Sequence, residues 1–342
     1  MEQITIKDIA RICGCGISTV SRALNNHPDI NPETKQRIME VVAEYDFVPN
    51  NSARNLKITE SLTIAILVKG MTNPFFTKMI KIMEEEIEKN HYSMEIRHVD
   101  EETDEVETAI ELVKEKKLKG IIFLGGYFNH SPEKLKRIGV PFVLSTISVV
   151  GEYDGSHSSV SVDDMAESYK MVDYLIKQGH EKIAILTAPE ADASIGRLRT
   201  EGYLKALADH KISVDKKYIR RPKEAEEIYS MENGYKAMKK MLEENLDMTA
   251  VYAISDTLAI GACKALKEAG RKIPEDISVA GFDGIEMGYY VSPGITTIRQ
   301  PIEEMATETV KQLFDVINNG ARHEKKVFEA ELVVRDSVAK IN

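Results

Sequence analysis

Cysteine is scarce in this sequence, and a long apolar stretch is missing. Three cysteines in 342 residues exclude a disulfide framework and favour a reducing compartment, so we expect a cytoplasmic protein. No apolar run approaches the roughly 18 residues that a membrane span needs, and residues 62–68 are typical of the longest. The N-terminal residues mix charged and apolar groups without a continuous apolar segment, which predicts that no secretory signal is present.

An excess of positive charge is also missing. The net charge of −10 argues against a protein coated with cations for binding nucleic acid. Residues 1–60 are close to neutral, with seven lysines and arginines against eight aspartates and glutamates, so most of the negative charge lies further along the chain. Any site for DNA must therefore depend on where the few cations of this segment are placed.

The common sequence motifs of enzymes are absent as well. We find no Gly-x-Ser-x-Gly, no His-Glu-x-x-His and no glycine-rich phosphate loop, so we expect no enzymatic activity and no cofactor. Gly14 and Gly16 resemble the start of a dinucleotide fingerprint, but no strand precedes them. Cys13 and Cys15 lack a further histidine or cysteine at ligand spacing, so we expect structural cysteines and no metal site.

The first 48 residues instead show the pattern of short helices. Ile6, Ile9 and Ala10 form one apolar face of a first helix, and Val20, Ala23 and Leu24 repeat that spacing after a glycine break. A third helix is predicted to open with Asn31 as its N-cap and Pro32 in its first turn. We expect its core face to consist of four residues: Ile38, Val41, Val42 and Tyr45.

Two short helices around a tight glycine turn, supported by a third, form a helix-turn-helix arrangement. Ala10 is small where the helices must cross, Gly14 suits the turn, and Val20 would pack between the helices. The second helix would then expose a polar face, on which Arg22 could bind a guanine with two hydrogen bonds. The alternative is an ordinary three-helix unit with a polar surface. The predicted exposed residues are Ile17, Ser18, Thr19, Ser21 and Arg22.

From residue 62 onward, β-rich runs alternate with amphipathic helical stretches. This alternation predicts parallel sheets that are covered by helices on both faces, and nine or more strands suit two doubly wound subdomains better than one sheet. We predict domains at 1–48 (DNA binding), 49–60 (hinge and linker) and 61–342 (effector binding and dimerisation). The two subdomains of the last are expected at about 61–160 with 290–325, and about 161–289 with 326–342.

Several segments together resemble the lactose-repressor (LacI/GalR) family. The resemblance rests on TIKDIA at 5–10, STVSRALN at 18–25, VPNNSARNL at 48–56, NPFF at 73–76, RTEGY at 199–203, GFD at 281–283 and TTIRQP at 296–301. It spans nearly the whole chain. It implies an α/β fold, with an N-terminal all-α helix-turn-helix domain and two doubly wound parallel-sheet subdomains like those of periplasmic binding proteins. Cys15 and Gly16 depart from the family's usual Val-Ser, and this predicts weaker contact with the DNA backbone.

The resemblance also implies a hinge that binds DNA. Its helical segment, residues 50–57, has about eight residues, too few for a stable isolated helix, so we expect it to order only when two copies pack together on DNA. Leu56 would enter a minor-groove step with Arg54 and Lys57 near phosphates, although Leu56 could instead pack against its own domain. The DNA-binding residues implied beyond the second helix are Thr5, Asn25, Asn50, Ala53, Arg54, Leu56 and Lys57.

Parallel sheets place ligands at the carboxyl ends of their strands. An arginine, carboxylates and aromatic rings at such positions suit a polyhydroxylated sugar, although each residue alone could be structural, and Asp256 could only cap a helix that begins at Thr257. In the resembled family, five matching positions line the effector pocket: Phe76, Thr146, Arg199, Tyr229 and Asp283. Thr146 stands where the family usually has an aspartate. The candidate effector-binding residues are Asn73, Phe75, Phe76, Tyr127, Thr146, Arg199, Tyr229, Ser255, Asp256, Asp283 and Gln300.

These observations predict a ligand-responsive transcription regulator that binds DNA. We expect a homodimer that represses a carbohydrate-utilisation operon at a pseudo-palindromic operator, with a sugar or sugar derivative in the cleft between the subdomains. Two alternatives stay open at this point. One is a two-lobed solute-binding protein without a regulatory role, and the other is a transcription activator.

Overall fold

The computed structural model describes residues 4–24, 29–45, 47, 62–100, 103–147, 155–189, 194–221 and 228–341. The chain divides into two units, residues 1–61 and 62–342. Each unit has its own hydrophobic core, as the predicted boundary near residue 60 requires.

The described residues of the first unit form three helices: α1 (Ile6–Ile12), α2 (Ile17–Leu24) and α3 (Pro32–Glu44). A capping box begins α1, because the Thr5 hydroxyl accepts a hydrogen bond from the Asp8 backbone N–H while the Asp8 carboxylate accepts one from the Thr5 N–H. This reciprocal pair fixes where α1 starts.

The start of α3 confirms the sequence-based prediction. Asn31 is its N-cap and accepts hydrogen bonds from the backbone N–H groups of Glu33 and Thr34. Pro32 occupies the first turn, where the absence of its N–H costs no helical hydrogen bond.

The three helices enclose a small core. Gly14 has a φ of +58° and makes the turn after α1, where a residue with a Cβ would be strained. Tyr45 was predicted to belong to this core but is 46% exposed, because α3 ends at Glu44 and Tyr45 is its C-cap. The buried core residues are Ile9, Ala10, Cys13, Val20, Ala23 and Ile38.

The second unit alternates strands and helices along the chain. Its strands are β1 (Thr63–Val68), β2 (Ser93–His98), β3 (Gly120–Leu124), β4 (Phe142–Ser145), β5 (Ser158–Val162), β6 (Ile183–Leu186), β7 (Ile219–Arg220), β8 (Ala250–Ala253), β9 (Ser278–Asp283), β10 (Thr296–Arg299), β11 (Lys325–Phe328) and β12 (Glu331–Val333). Its helices are α4 (Pro74–Lys89), α5 (Glu105–Lys116), α6 (Pro132–Lys136), α7 (Asp164–Lys177), α8 (Ile195–Asp209), α9 (Met231–Glu243), α10 (Asp256–Glu268), α11 (Met287–Tyr290) and α12 (Ile302–Asn319), with a 3-10 turn at Lys216–Tyr218.

These strands form two six-stranded sheets, which confirms the predicted α/β class. The first sheet has the order β11-β5-β4-β3-β1-β2, and the second has the order β12-β10-β9-β8-β6-β7. All pairs are parallel except the antiparallel pair of β10 with β12. Side chains of β1 alternate between two buried clusters, with Ile64 and Ile66 on one face and Ala65 and Leu67 on the other. The sheet is therefore covered on both faces, as its continuous apolar strands predict.

The chain crosses between the two sheets three times. It passes from β5 to the second sheet, returns after β10 through α12 to β11, and then enters the second sheet again at β12. The predicted assignment of 290–325 to the first subdomain is therefore wrong for β10, which pairs with β9 in the second sheet. Sequence pattern alone could not show this, because the four residues of β10 carry no pattern that distinguishes one sheet from the other.

All nine strands predicted from the apolar runs are present, with ends that shift by two residues at most. The predicted bounds were 63–68, 94–99, 120–124, 142–146, 159–162, 182–187, 250–255, 278–282 and 296–299. Three short strands, β7, β11 and β12, were not predicted, and neither were the short helices α6 and α11. None of the helices in the described part of the chain is long and apolar enough to span a membrane.

Candidate functional site

The first unit exposes one side of α2. Val20 and Ala23 face the core of the three helices, while Ser18 and Arg22 are exposed and Ile17 is 46% exposed. An exposed apolar side chain on this helix suits a base edge better than bulk water, because it can contact a thymine methyl group. Thr19 and Ser21, also predicted to face outward, are half-buried.

The other predicted DNA-binding residues fall into two groups. The Thr5 hydroxyl is occupied in the α1 capping box, where it accepts from the Asp8 N–H and donates to the Asp8 carboxylate. The remaining ones, Asn25, Asn50, Ala53, Arg54, Leu56 and Lys57, lie outside the described residues.

The second unit places Arg199 at the centre of a buried polar cluster. Its Nε donates to Asp164 Oδ1 at 2.9 Å, and its Nη1 donates to the Ile254 carbonyl at 2.6 Å and to Asp283 Oδ1 at 3.2 Å. The guanidinium also stacks on the Phe282 ring, with Cζ 3.6 Å from the ring centroid. Burial lowers the pKa of Arg199, but the charges of the two carboxylates more than offset this effect and raise its pKa above the ordinary value.

Asp283 connects this arginine to both subdomains. Besides Arg199, its Oδ1 accepts from Gln300 Nε2 at 2.9 Å, and its Oδ2 accepts from Asn73 Nδ2 at 3.2 Å. Burial raises the pKa of the Asp283 carboxyl, while the Arg199 charge and these hydrogen bonds act in the opposite direction. The backbone of Asp283 has a φ of +106°, a strained conformation for a residue with a side chain.

Ser255 and Asp256 have structural partners at the start of α10. Ser255 is the N-cap and its hydroxyl accepts from the Leu258 N–H, so the helix begins at Asp256 rather than at Thr257. The Asp256 carboxylate accepts from Thr297 Oγ1 at 2.6 Å and from the Ile285 N–H at 2.8 Å. Burial and the nearby Asp283 charge raise the pKa of Asp256 to about 8. Asp256 therefore positions the loop after Asp283.

The aromatic residues Phe75 and Phe76 lie in the first turn of α4, and both are buried in the core. Their rings meet edge to face with centroids 5.5 Å apart. Gly125, at a φ of +74°, passes directly over Phe76, and a Cβ at Gly125 would lie 2.7 Å from the Phe76 ring. Phe76 therefore supports the loop after β3.

Three more predicted residues lie near strand ends without joining the Arg199 cluster in the described contacts. Tyr127 follows β3 and is 38% exposed. Thr146 follows β4 with a φ of +63°, and its buried hydroxyl makes no hydrogen bond with the described residues. The Tyr229 hydroxyl lies 3.3 Å from Ser194 Oγ, the N-cap of α8.

Of the eleven predicted residues, the structure brings Asn73, Arg199, Asp283 and Gln300 into direct contact, with Asp256 beside them. The sequence analysis missed Asp164, which binds Arg199 from the first turn of α7. An acidic residue in a first helical turn is common on protein surfaces, so its sequence position gave no signal that it is buried.

A second cluster has the residue types of a metal site. Ligand atoms of Asp104, Glu105 and His130 lie within 4.8 Å of one another. However, the Lys69 ammonium binds Glu105 Oε2 at 2.7 Å, and the Lys134 ammonium binds Asp104. Two cations of the chain thus already neutralise these carboxylates, and the cluster is explained as an ion-pair network.

Two family models match the chain. Residues 5–50 match the model for bacterial regulatory proteins of the lacI family, and residues 172–338 match a periplasmic binding protein-like domain. Over 337 residues, the chain is 38% identical to the HTH-type transcriptional regulator MalR of Clostridium butyricum, covering 98% of this chain and 99% of that protein. The chain belongs to the lacI family of bacterial regulatory proteins. It is a DNA-binding transcriptional regulator and not an enzyme.

Other lacI-family proteins extend the comparison. The ribose operon repressor of Haemophilus influenzae is 30% identical over 340 residues, covering 98% of each chain. A lacI-family transcriptional regulator from Enterococcus faecium with bound ribose is 30% identical, with a TM-score of 0.70 over 82% of this chain and all of that chain. The lac repressor dimer bound to operator and an anti-inducer shares the fold at 22% identity, with a TM-score of 0.73 over 99% of this chain and all of that chain.

As a member of the lacI family, the chain differs from the usual pattern where α2 begins. Gly16 stands before Ile17, and its carbonyl accepts the first helical hydrogen bonds, from the N–H groups of Thr19 and Val20. A Cβ at Gly16 would meet Ser18 Oγ at 3.5 Å, an ordinary contact. The local backbone therefore has room for a serine at this position.

Proposed function

We propose that this lacI-family protein represses a carbohydrate-utilisation operon in the bacterial cytoplasm and responds to a sugar. Residues 1–48 would bind the operator, residues 49–60 would form the hinge, and residues 61–342 would bind the effector and dimerise. Effector binding would change operator affinity through a coupling free energy of about 1–3 kcal/mol.

The exposed side of α2 is the observation that carries the DNA-binding assignment. A second helix of this motif enters the major groove, where side chains at its N-terminal end reach base edges. Ile17, Ser18 and Arg22 are exposed on this side, whereas Val20 and Ala23 anchor the opposite side. We assign base contacts to these three exposed residues, and backbone contacts to the half-buried Thr19 and Ser21.

Operator selection followed by anisotropy titration tests this assignment. The full chain is expected to select a pseudo-palindromic duplex from a random pool, and Arg22→Ala is expected to lose about 1–3 kcal/mol of binding and to relax the preference at one base pair. Arg137→Ala, which removes an exposed arginine of the second unit, serves as the control. Equal losses from both substitutions would contradict the assignment of α2.

The cluster around Arg199 carries the effector assignment. Arg199, Asp283, Gln300 and Asn73 offer donors and acceptors at the carboxyl ends of strands from both sheets. Tyr127 is exposed at the same edge of the first sheet and offers a ring face on which a sugar could stack. We therefore place the effector between the two subdomains. The ribose-bound relative from Enterococcus faecium supports a sugar as its class.

A thermal-shift screen of the purified full chain against mono- and disaccharides tests the effector assignment. A ligand of the folded state raises the melting temperature by mass action. We expect at least one sugar to do so, and we expect Gln300→Leu to abolish the shift. Gln312→Leu is the matched control, because this glutamine is buried on α12 away from the Arg199 contacts. A shift that survives Gln300→Leu would contradict the location.

We propose that dimerisation uses the face formed by α10, α11 and the segment after α11. Tyr289 and Tyr290 are 63% and 73% exposed, beside a hollow of about 280 Å³ whose lining includes Cys263 and Val291. Exposed aromatic pairs next to an apolar hollow are typical of protein interfaces. Tyr290→Ser should shift sedimentation towards the monomer, whereas Tyr127→Ser, at the cleft, should leave it unchanged.

Repression rather than activation is favoured by the names of the repressors among the relatives, including that of Haemophilus influenzae. A reporter with the operator placed either across or upstream of the promoter separates the two. A repressor lowers expression in the first placement, and an activator raises it in the second.

A further inference from the structure

The charge of Arg199 is already compensated inside the protein. The guanidinium is 2% exposed and binds the Asp164 carboxylate at 2.9 Å, and Asp283 adds a second carboxylate at 3.2 Å. Both carboxylates are as deeply buried as the arginine. An anionic ligand group that approached this cluster would therefore meet two acids in a region of low dielectric constant.

The helix N-termini beside the cluster are compensated in the same way. A helix N-terminus normally attracts anions, because its free N–H groups and its dipole are positive. Here Asp164 lies in the first turn of α7, and Asp256 lies in the first turn of α10. Side chains also cap these helices, since Asp163 accepts from the Ala166 N–H and Ser255 from the Leu258 N–H.

Among the described residues, the side chains that bind Asp283 besides Arg199 are neutral. Asn73 and Gln300 present amides, each bonded to Asp283. At the carboxyl end of β4, outside the Arg199 contacts, the buried Thr146 hydroxyl makes no hydrogen bond with the described residues. A hydroxyl that can both donate and accept matches another hydroxyl, whereas a phosphate or carboxylate only accepts.

We propose that the effector is an uncharged polyhydroxylated compound, and that the Asp164–Arg199–Asp283 cluster excludes phosphorylated and acidic sugars. This inference rests on the proposed effector site and narrows its ligand class. Arg199 provides directed N–H donors whose orientation is fixed by its two carboxylates. It does not provide a free positive charge.

Matched ligand pairs test the inference on the full chain. Calorimetric or thermal-shift titrations would compare ribose with ribose 5-phosphate, glucose with glucose 6-phosphate and glucuronate, and maltose with maltose phosphate. For every pair in which one member binds, we expect the neutral sugar to bind at least tenfold more tightly. An anionic member that binds as tightly as its neutral counterpart would overturn the inference while leaving the effector site itself supported.

A charge-removing variant tests the assigned cause. Asp164→Asn keeps the shape of the side chain but removes one of the two charges that face Arg199, so the preference for the neutral member should fall by at least threefold. Asp173→Asn removes a charge from the surface of the same helix, where Asp173 binds Lys177 and His210, and should leave the preference unchanged.

The outcomes separate the role of the charged cluster from the proposed effector class. An unchanged preference in folded Asp164→Asn protein, shown by an unaltered circular dichroism spectrum, would overturn the role of the cluster. Should Asp164→Asn not fold, Asp283→Asn provides the same charge removal from the other side of Arg199. If no sugar in the series binds at all, the proposed effector class is wrong and the inference falls with it.

Discussion

Asn73 and Asp283 lie 210 positions apart and join the two subdomains by a hydrogen bond of 3.2 Å from the Asn73 amide to the Asp283 carboxylate. The same Asn73 is the N-cap of α4, where its Oδ1 accepts from the Phe75 N–H at 3.0 Å. One side chain thus starts a helix of the first subdomain and contacts the polar cluster of the second.

The two roles of Asn73 can be separated by substitution. Asn73→Ser keeps a capping oxygen but removes the amide that reaches Asp283, whereas Asn73→Ala removes both. Denaturant unfolding should show a loss of about 1 kcal/mol for Asn73→Ser, from the missing Asp283 hydrogen bond. Asn73→Ala should lose about 1 kcal/mol more, because the cap is also removed. Both variants should bind the sugar effector roughly 2- to 12-fold more weakly, the range for one net hydrogen bond. Equal stability losses would show that Asn73 does not act as a cap.

The raised pKa of Asp256 predicts how the free energy of unfolding depends on pH. Its pKa of about 8 lies above the ordinary value, so between about pH 4 and pH 8 the folded protein keeps a proton that the unfolded chain releases. The contribution of Asp256 to the free energy of unfolding is therefore fully present below about pH 4 and is lost as pH rises from about 4 to about 8. Urea unfolding from pH 5 to pH 8 should show a steeper fall for the wild-type chain than for Asp256→Asn. Parallel profiles would show that Asp256 is ionised throughout.

The space around Gly16 predicts that a serine at this position increases operator affinity. Gly16→Ser restores a capping hydroxyl before α2, and the site has room because a Cβ would meet its nearest neighbour at 3.5 Å. We expect operator affinity to rise by roughly two- to tenfold, through the added cap and a phosphate contact. Gly16→Ala fills the same space without a hydroxyl, so an equal gain from Gly16→Ala would rule out the hydroxyl as the cause.

The close packing of α9 and α10 at Gly261 predicts that a larger residue at this position destabilises the protein. Alanine is favoured over glycine in a helix by about 1 kcal/mol. However, a Cβ at Gly261 would lie 1.9 Å from the Met231 carbonyl oxygen, and separating two packed helices costs about 1–3 kcal/mol or more. The clash should dominate, so Gly261→Ala should lower the melting temperature. Gly288→Ala, whose Cβ would have its nearest contact at 3.6 Å, should leave it unchanged or raise it.

Much of the fold could be predicted because local signals and burial agree. The Asn31–Pro32 start of α3 and the strands β1 and β3 follow directly from capping residues and continuous apolar runs. The strand β11 could not be predicted, since three of its four residues are exposed and two of these are lysines, so it lacks the usual pattern. The sheet to which β10 belongs depends on where the chain crosses between subdomains, and no local pattern encodes that.

Most residues of the candidate site could be predicted from the sequence, but the hydrogen bonds and ion pairs between them could not. Arg199, Asp283 and Gln300 follow from strand ends and from the family resemblance, and the structure places them in contact. The burial of Asp164 could not be predicted from the sequence, because it depends on how α7 packs in the second subdomain. Its pairing with Arg199 changes the chemistry of the site, because it turns a free cation into an oriented set of donors.

Coupling between the sugar and the operator is the central claim, and one measurement tests it most directly. The operator dissociation constant of the full-length dimer is measured by anisotropy, at fixed salt, with and without a saturating concentration of the sugar that raises the melting temperature. A coupling free energy of 1–3 kcal/mol predicts a change of roughly 5- to 150-fold, and Gln300→Leu should abolish the change while keeping the sugar-free affinity. An operator affinity that is the same with and without the bound sugar would contradict the account.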